Sequence, residues 1–157
     1  AAGSVDLHFA GLKEPLRLPA RGHRLQHLQA LDYDNDGWLD LVAWGDAGVR
    51  AWRNRGNAGF HETTAELGLT ALAQSKILNL TAADFDQDCD LDLVLDVAGA
   101  GLKFFRNDGG NANGMLKLRL LGNRSNASGL GVKAELTGAG WHSIRTVKSL
   151  PVEIGVG

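Results

Sequence analysis

One fifteen-residue passage occurs twice in this chain. Residues 28–42, Leu-Gln-Ala-Leu-Asp-Tyr-Asp-Asn-Asp-Gly-Trp-Leu-Asp-Leu-Val, align without a gap with residues 80–94, Leu-Thr-Ala-Ala-Asp-Phe-Asp-Gln-Asp-Cys-Asp-Leu-Asp-Leu-Val. The offset, from Asp32 to Asp84, is 52 positions. Farther on, residues 49–54 match residues 102–107 at an offset of 53, so the intervening turn has gained one residue. Self-similarity at this period marks a repeated supersecondary unit, and it constrains the fold more than composition does.

Each unit reads as strands. Segments 25–31 and 77–83 precede the acidic cluster, and 38–44 and 91–97 follow it, rich in leucine, valine and tryptophan. A third strand, 49–53 or 102–106, comes after a glycine-rich turn, and in the first unit 60–63 supplies a fourth. Residues 64–69 are predicted to form a short helical turn between the units. Four short antiparallel strands in about 50 residues is the size of one propeller blade. After Asn107 the repeat is lost. The turn-rich stretch 108–114 leads to predicted strands at 115–121, 132–136, 143–147 and 152–156, which suggest a small β-sandwich or barrel, incomplete at Gly157.

The expected architecture is therefore all-β, with two propeller blades followed by a small C-terminal β-sandwich or barrel. Residues 1–24 are a remnant of a preceding blade or a linker, with strands at 5–9 and 16–18; residues 25–112 are the two blades, and 113–157 the C-terminal domain. Closed propellers use typically 4 to 8 blades, so two cannot close alone. Either earlier blades are missing or other copies of the chain complete the ring, since an unpaired sheet edge is a template for association. The opening Ala1-Ala2-Gly3-Ser4, without an initiator methionine, suggests a processed or excised piece.

The acidic clusters carry the chemistry. Asp32, Asp34 and Asp36 stand at alternate positions, Gly37 follows, and Asp40 lies four beyond Asp36; Asp84, Asp86, Asp88 and Asp92 repeat the spacing. So many carboxylates in two nine-residue loops repel one another, and a hard dication relieves the repulsion. Positions 1, 3 and 5 converge, position 7 offers a backbone carbonyl (Trp38 or Asp90), and position 9 closes the shell. The Asp90 side chain then faces solvent or supports a neighbour. An oxygen-only set of this size suits Ca²⁺ better than Mg²⁺, and zinc would want histidine or cysteine. An EF-hand is excluded because Ala43 and Leu95 stand where its bidentate glutamate belongs, between strand-like flanks. Two Ca²⁺ sites are expected, independent because they share no ligand. The second is expected to be weaker because Cys89 replaces the glycine of a left-handed position.

The pattern Asp-x-Asp-x-Asp-Gly-x-x-Asp-Leu-Val, followed by an aromatic strand, Arg-Asn and Gly-Asn-x-Gly-Phe, resembles the FG-GAP/VCBS repeat, the calcium-binding blade of integrin α-subunit propellers and of many secreted bacterial proteins. Residues from about 25 to 107 carry it. The stretch Gly114 to Gly122, with Ser125-Asn126 and Gly129-Leu130-Gly131-Val132, resembles the ASPIC/UnbV domain, with a looser match over 138–157. The resemblance implies an extracellular or periplasmic, calcium-stabilised binding or adhesion module whose partner is a protein or a glycan, with no assigned reaction. The alternatives are an accessory domain of a secreted polysaccharide-active enzyme and a structural protein that self-assembles into a fibre or ring.

Other constellations are set aside. With 16 basic and 18 acidic residues and no basic stripe, a net charge of −2 argues against nucleic acid or anionic lipid as partner. No apolar run approaches the roughly 18 residues of a membrane span. The single Cys89 neither demands nor forbids an oxidising compartment, and its anionic loop makes it a poor nucleophile. His23 and His27 have helical metal spacing in a region that reads as loop and strand. Trp38, Trp44 and Trp52 either stack a sugar or, by default, pack between blades. Asn123-Arg124-Ser125 and Asn126-Ala127-Ser128 are glycosylation acceptor sequences. No Gly-x-Ser-x-Gly element or phosphate loop is present, and no catalysis is expected.

Overall fold

The computed structural model describes residues 3–8, 13–20, 22, 24–109, 113–123, 125–138, 141–148 and 151–156. The fold is all-β, and the chain divides into two compact units. One comprises Ala1–Leu31, Leu39–Ala83 and Asp92–Arg106; the other comprises Asp32–Trp38, Asp84–Leu91 and Asn107–Gly157. The acidic loops thus cluster with the C-terminal segment.

In the first unit, β1 (Ser4–Leu7) and β2 (Leu16–Pro19) form an antiparallel hairpin. β3 (Leu25–Leu31), β4 (Asp40–Gly45), β5 (Gly48–Asn54) and β6 (Phe60–Glu62) form a four-stranded antiparallel sheet in chain order. β7 (Ile77–Ala83), β8 (Asp92–Val97) and β9 (Gly101–Phe105) form a three-stranded one. These are the two predicted repeat units. The strand after each acidic cluster begins two residues or one residue later than predicted: the Leu39 and Leu91 carbonyls are taken by the Asn54 and Asn107 side chains, and the Trp38 N–H by the Asp36 side chain. Backbone groups satisfied by side chains are lost to a sheet ladder.

β4 is buried along its whole length, so its sequence is a run of apolar residues instead of an alternation. Leu41 and Ala43 pack with Trp52 and with Leu18 of the hairpin, while Val5, Leu7, Leu16, Leu25 and Phe60 close the edge of this cluster. The opposite face holds Val42, Trp44, Val49 and Ala51, also buried, where β4 approaches β7 and β5 approaches a 3-10 turn, Leu69–Leu72. The turn predicted at 64–69 precedes it, closed by the Leu67 N–H on the Thr63 carbonyl and the Gly68 N–H on the Ala65 carbonyl, and Gly68, at a left-handed φ of 69°, separates the two. Trp44 and Trp52 are core residues; only Trp38 is exposed, so the three rings form no common platform. The second sheet is less covered: Leu102 and Phe104, 53 positions after Val49 and Ala51, are 72% and 53% exposed against 0% for their counterparts.

In the second unit, β10 (Met115–Leu118) pairs with β13 (Val152–Gly155), and β11 (Lys133–Gly138) pairs with β12 (Trp141–Thr146), both antiparallel. β10 ends at Leu118, short of the predicted 121, because its pairing with β13 ends there. Val147 and Ile154 are buried. Among the described residues no helix is long and apolar enough to cross a membrane.

Candidate metal centre

Both acidic loops are shaped by hydrogen bonds from backbone N–H groups to aspartate side chains. In the first, Asp32 Oδ2 accepts from Gly37 N at 3.0 Å and Asp36 Oδ1 from Trp38 N at 2.9 Å. In the second, Asp84 Oδ2 accepts from Cys89 N at 3.2 Å, Asp86 Oδ1 from Asp88 N at 3.3 Å, and Asp88 Oδ1 from Asp90 N at 3.0 Å. Two residues in each loop are left-handed: Asn35 and Gly37 at φ 57° and 88°, Gln87 and Cys89 at 66° and 79°. The positive φ expected at position 6 is therefore present in both copies. A second one at position 4 falls on Asn35 and Gln87; asparagine tolerates that region better than most residues.

These turns draw carboxylates together. Asp32, Asp34 and Asp40 each offer an oxygen within 4.8 Å of the others, and so do Asp84, Asp86 and Asp88. Asp36 and Asp92 fall outside those groups. Asp40 is fully buried and its Oδ1 accepts the Asn54 N–H at 2.7 Å. Asp90 is fully buried too, and of the two roles foreseen for it the structure assigns the supporting one: its Oδ1 accepts from Asn35 Nδ2 at 3.0 Å. Trp38 stands exposed at the end of its loop. The Arg-Asn element also gains a function, because Asn54 Nδ2 donates to the Leu39 carbonyl at 3.1 Å and Asn107 Nδ2 to the Leu91 carbonyl at 3.3 Å.

One oxygen of Asp32 and one of Asp84, Oδ1 in each case, are buried and accept no hydrogen bond among the described residues. A buried carboxylate oxygen without a donor is costly unless a cation approaches it. Two aspartate clusters, made by positions 1, 3 and 9 of the first loop and positions 1, 3 and 5 of the second, each with such an oxygen, are sites that can hold a hard metal ion.

Residues 32–95 match the FG-GAP-like repeat. The match begins on Asp32 and covers both acidic loops. No curated protein and no solved structure matches the chain.

The two acidic loops differ electrostatically. Burial, reinforced by the charges of Asp36 and Asp34, pushes Asp32 up to about 6 against the Gly37 N–H and the charge of Arg145. At Asp84 burial acts in the same direction, but it is outweighed by the Lys117 ammonium together with the backbone N–H groups of Cys89 and Gln87, and the carboxyl falls below its ordinary value. Lys117 Nζ lies 2.6 Å from Asp84 Oδ2 and 3.4 Å from Glu153, the residue opposite it on β13.

Sequence reasoning missed the residues that tie the loops to the C-terminal segment. Asn107 Nδ2 also donates to the Tyr33 carbonyl at 2.7 Å, Asn113 Nδ2 to the Asp34 carbonyl at 2.8 Å, and Arg145 Nη2 to the Gly37 carbonyl at 3.3 Å. Gly155 packs so closely on the Asn35 backbone and Asp32 Oδ2 that a β-carbon there would collide with both. The position of Asn107, Asn113 and Gly155 beyond or at the end of the repeat gave no signal; a glycine closing an apolar strand was the one available hint. Of the other candidates, His27 stacks on Trp44 with ring centroids 5.4 Å apart, while His23 lies outside the described residues. Asn126 uses its amide in a turn, donating to the Leu130 carbonyl at 2.9 Å, and Arg124 of the other acceptor sequence lies outside the described residues.

Proposed function

We propose that this chain is a calcium-stabilised, non-catalytic binding module that works outside the cytoplasm and presents its sheets to a protein or glycan partner. The observation that carries the metal part is the pair of buried, donorless carboxylate oxygens, Asp32 Oδ1 and Asp84 Oδ1, each in a cluster of three aspartates. The donors are all oxygens, which favours Ca²⁺; Mg²⁺ needs a stricter octahedron and retains more water. In the first loop Asp32, Asp34 and Asp40 would hold the ion; in the second, Asp84, Asp86 and Asp88. The match to the FG-GAP-like repeat supports both the binding role and the setting outside the cytoplasm. The ion's part is structural: it neutralises carboxylates that the fold brings together.

Thermal melts in chelator, in Ca²⁺ and in Mg²⁺ test the reading. A ligand that binds only the native state stabilises it by mass action, about 2.7 kcal/mol at a hundredfold excess over Kd. The expected result is a clear upward shift with Ca²⁺ and a much smaller one with Mg²⁺. Equal melting in all three removes the metal from the reading.

A further inference from the structure

Two side chains bridge the loops: the half-buried Asn107, whose Nδ2 donates to the Tyr33 and Leu91 carbonyls, and a more deeply buried one that reaches the backbone fixing the second carboxylate cluster. Asn35, at position 4 of the first loop, is almost fully buried, and its Nδ2 donates to both the Cys89 carbonyl and Asp90 Oδ1, each at 3.0 Å. It therefore holds the segment of the second loop whose own N–H groups, from Cys89 and Asp90, fix Asp84 and Asp88. On its own side Asn35 follows Asp34, a member of the first carboxylate group. Its counterpart Gln87 is exposed and makes no such bond among the described residues.

We propose that Asn35 couples the two metal sites, so that cation binding at either loop strengthens binding at the other. The inference rests on the calcium reading above and concerns how that same pair of sites is regulated. The physical route is short. An ion held by Asp34 fixes the backbone from which Asn35 projects. Asn35 then keeps Cys89 and Asp90 in the arrangement that aims Asp84 and Asp88 inward. Ordering that one ion has already imposed need not be imposed again by the second, and linkage makes the effect reciprocal. The sites share no carboxylate, as the sequence implied, yet they are not independent.

The test is a thermodynamic cycle by calorimetric Ca²⁺ titration of the full chain. Asp34→Ala leaves only the second site and Asp86→Ala only the first; the wild type reports the overall two-ion constant. Coupling makes that overall constant exceed the product of the two single-site constants by about tenfold. Repeating the cycle in an Asn35→Gly background, which retains freedom for the positive φ but deletes the amide, should lower the ratio severalfold towards one, since only the Asn107 bridge is left. Gln87→Gly, the same backbone change in the other loop, should leave it near tenfold. A wild-type ratio of one overturns the coupling while leaving the calcium reading intact. A ratio unchanged by Asn35→Gly overturns the role of Asn35. No heat of binding in the wild type overturns the calcium reading and this inference with it.

Discussion

At the first loop, Asp32 buries a carboxylate against two neighbouring aspartates with only a backbone N–H on its Oδ2, and its pKa is pushed up to about 6. At the second, Asp84 occupies the same repeat position, but Lys117 from β10 stands 2.6 Å away and its pKa is lowered. The aspartate spacing was duplicated; the countercharge was not, because it comes from strands outside the repeat, as a direct ion pair from Lys117 at Asp84 and only as the weaker field of Arg145 at Asp32. Two loops of one sequence pattern therefore differ in how much they need a metal. The first holds a carboxylate that burial and its neighbours disfavour and that the Gly37 N–H and the more distant Arg145 offset only in part; the second is paired directly with an ammonium.

The largest consequence is a pH dependence confined to the first loop. A carboxyl whose folded pKa is raised favours folding in its neutral form. Its stabilising contribution is therefore complete below about pH 4 and lost as pH rises through about 6. The shift of Asp32 from 3.8 to about 6 corresponds to an upper bound of about 3 kcal/mol. In chelator, stability should fall by up to that amount between about pH 4 and pH 6.5, and Asp32→Asn should remove this part of the slope. Asp84 has the opposite sign: its contribution is present above its unfolded value of 3.8 and is lost only as pH falls below it. Urea denaturation of wild type and Asp32→Asn across this range checks the difference; identical slopes would show that Asp32 is solvated in the folded chain.

Removing the tethered cation should bring the second loop closer to the first. Lys117→Met deletes the ammonium beside Asp84 and keeps the aliphatic stem. The pair is partly exposed, so its worth is modest, and Ca²⁺ affinity at the second site should rise about fivefold. Calorimetry in an Asp34→Ala background, where only the second loop binds, reads this directly. Lower affinity would mean that Lys117 positions β10 instead of competing with the ion.

The repeat, the strands of both sheets and the left-handed position 6 were legible because each rests on local chemistry: side-chain alternation, glycine-rich turns and carboxylates spaced to accept nearby N–H groups. The determinants of the difference were not. Lys117 meets Asp84 across 33 residues and Asn35 meets Asp90 across 55, and nothing at those separations leaves a pattern in one sequence. Asp40 read as a plain ligand because its hydrogen bond from Asn54 depends on how β5 ends. The exposure of Leu102 and Phe104 was equally hidden, since the matching positions Val49 and Ala51 are buried and the repeat alone predicts equal burial.

The smallest expected effect comes from exchanging the residues at position 6. Cys89 holds a β-carbon at φ 79°, where a non-glycine residue incurs a strain of about 1 kcal/mol; Gly37 sits at 88° without it. Glycine, however, gives the unfolded chain more freedom, which costs about 0.4–1 kcal/mol and offsets most of what the strain relief returns. Cys89→Gly should therefore stabilise the chain by less than about 0.5 kcal/mol, and Gly37→Cys should destabilise it by a similar amount. In the Asp34→Ala background, Cys89→Gly should tighten Ca²⁺ binding by less than about threefold, a smaller change than Lys117→Met produces. If both swaps prove small and opposite, the steric difference between the loops is minor and the charge supplied by β10 sets them apart. If Cys89→Gly instead loses more than about 1 kcal/mol, the half-buried thiol packs the second loop in a way that has no counterpart at Gly37, and the loops differ in packing as well as in charge.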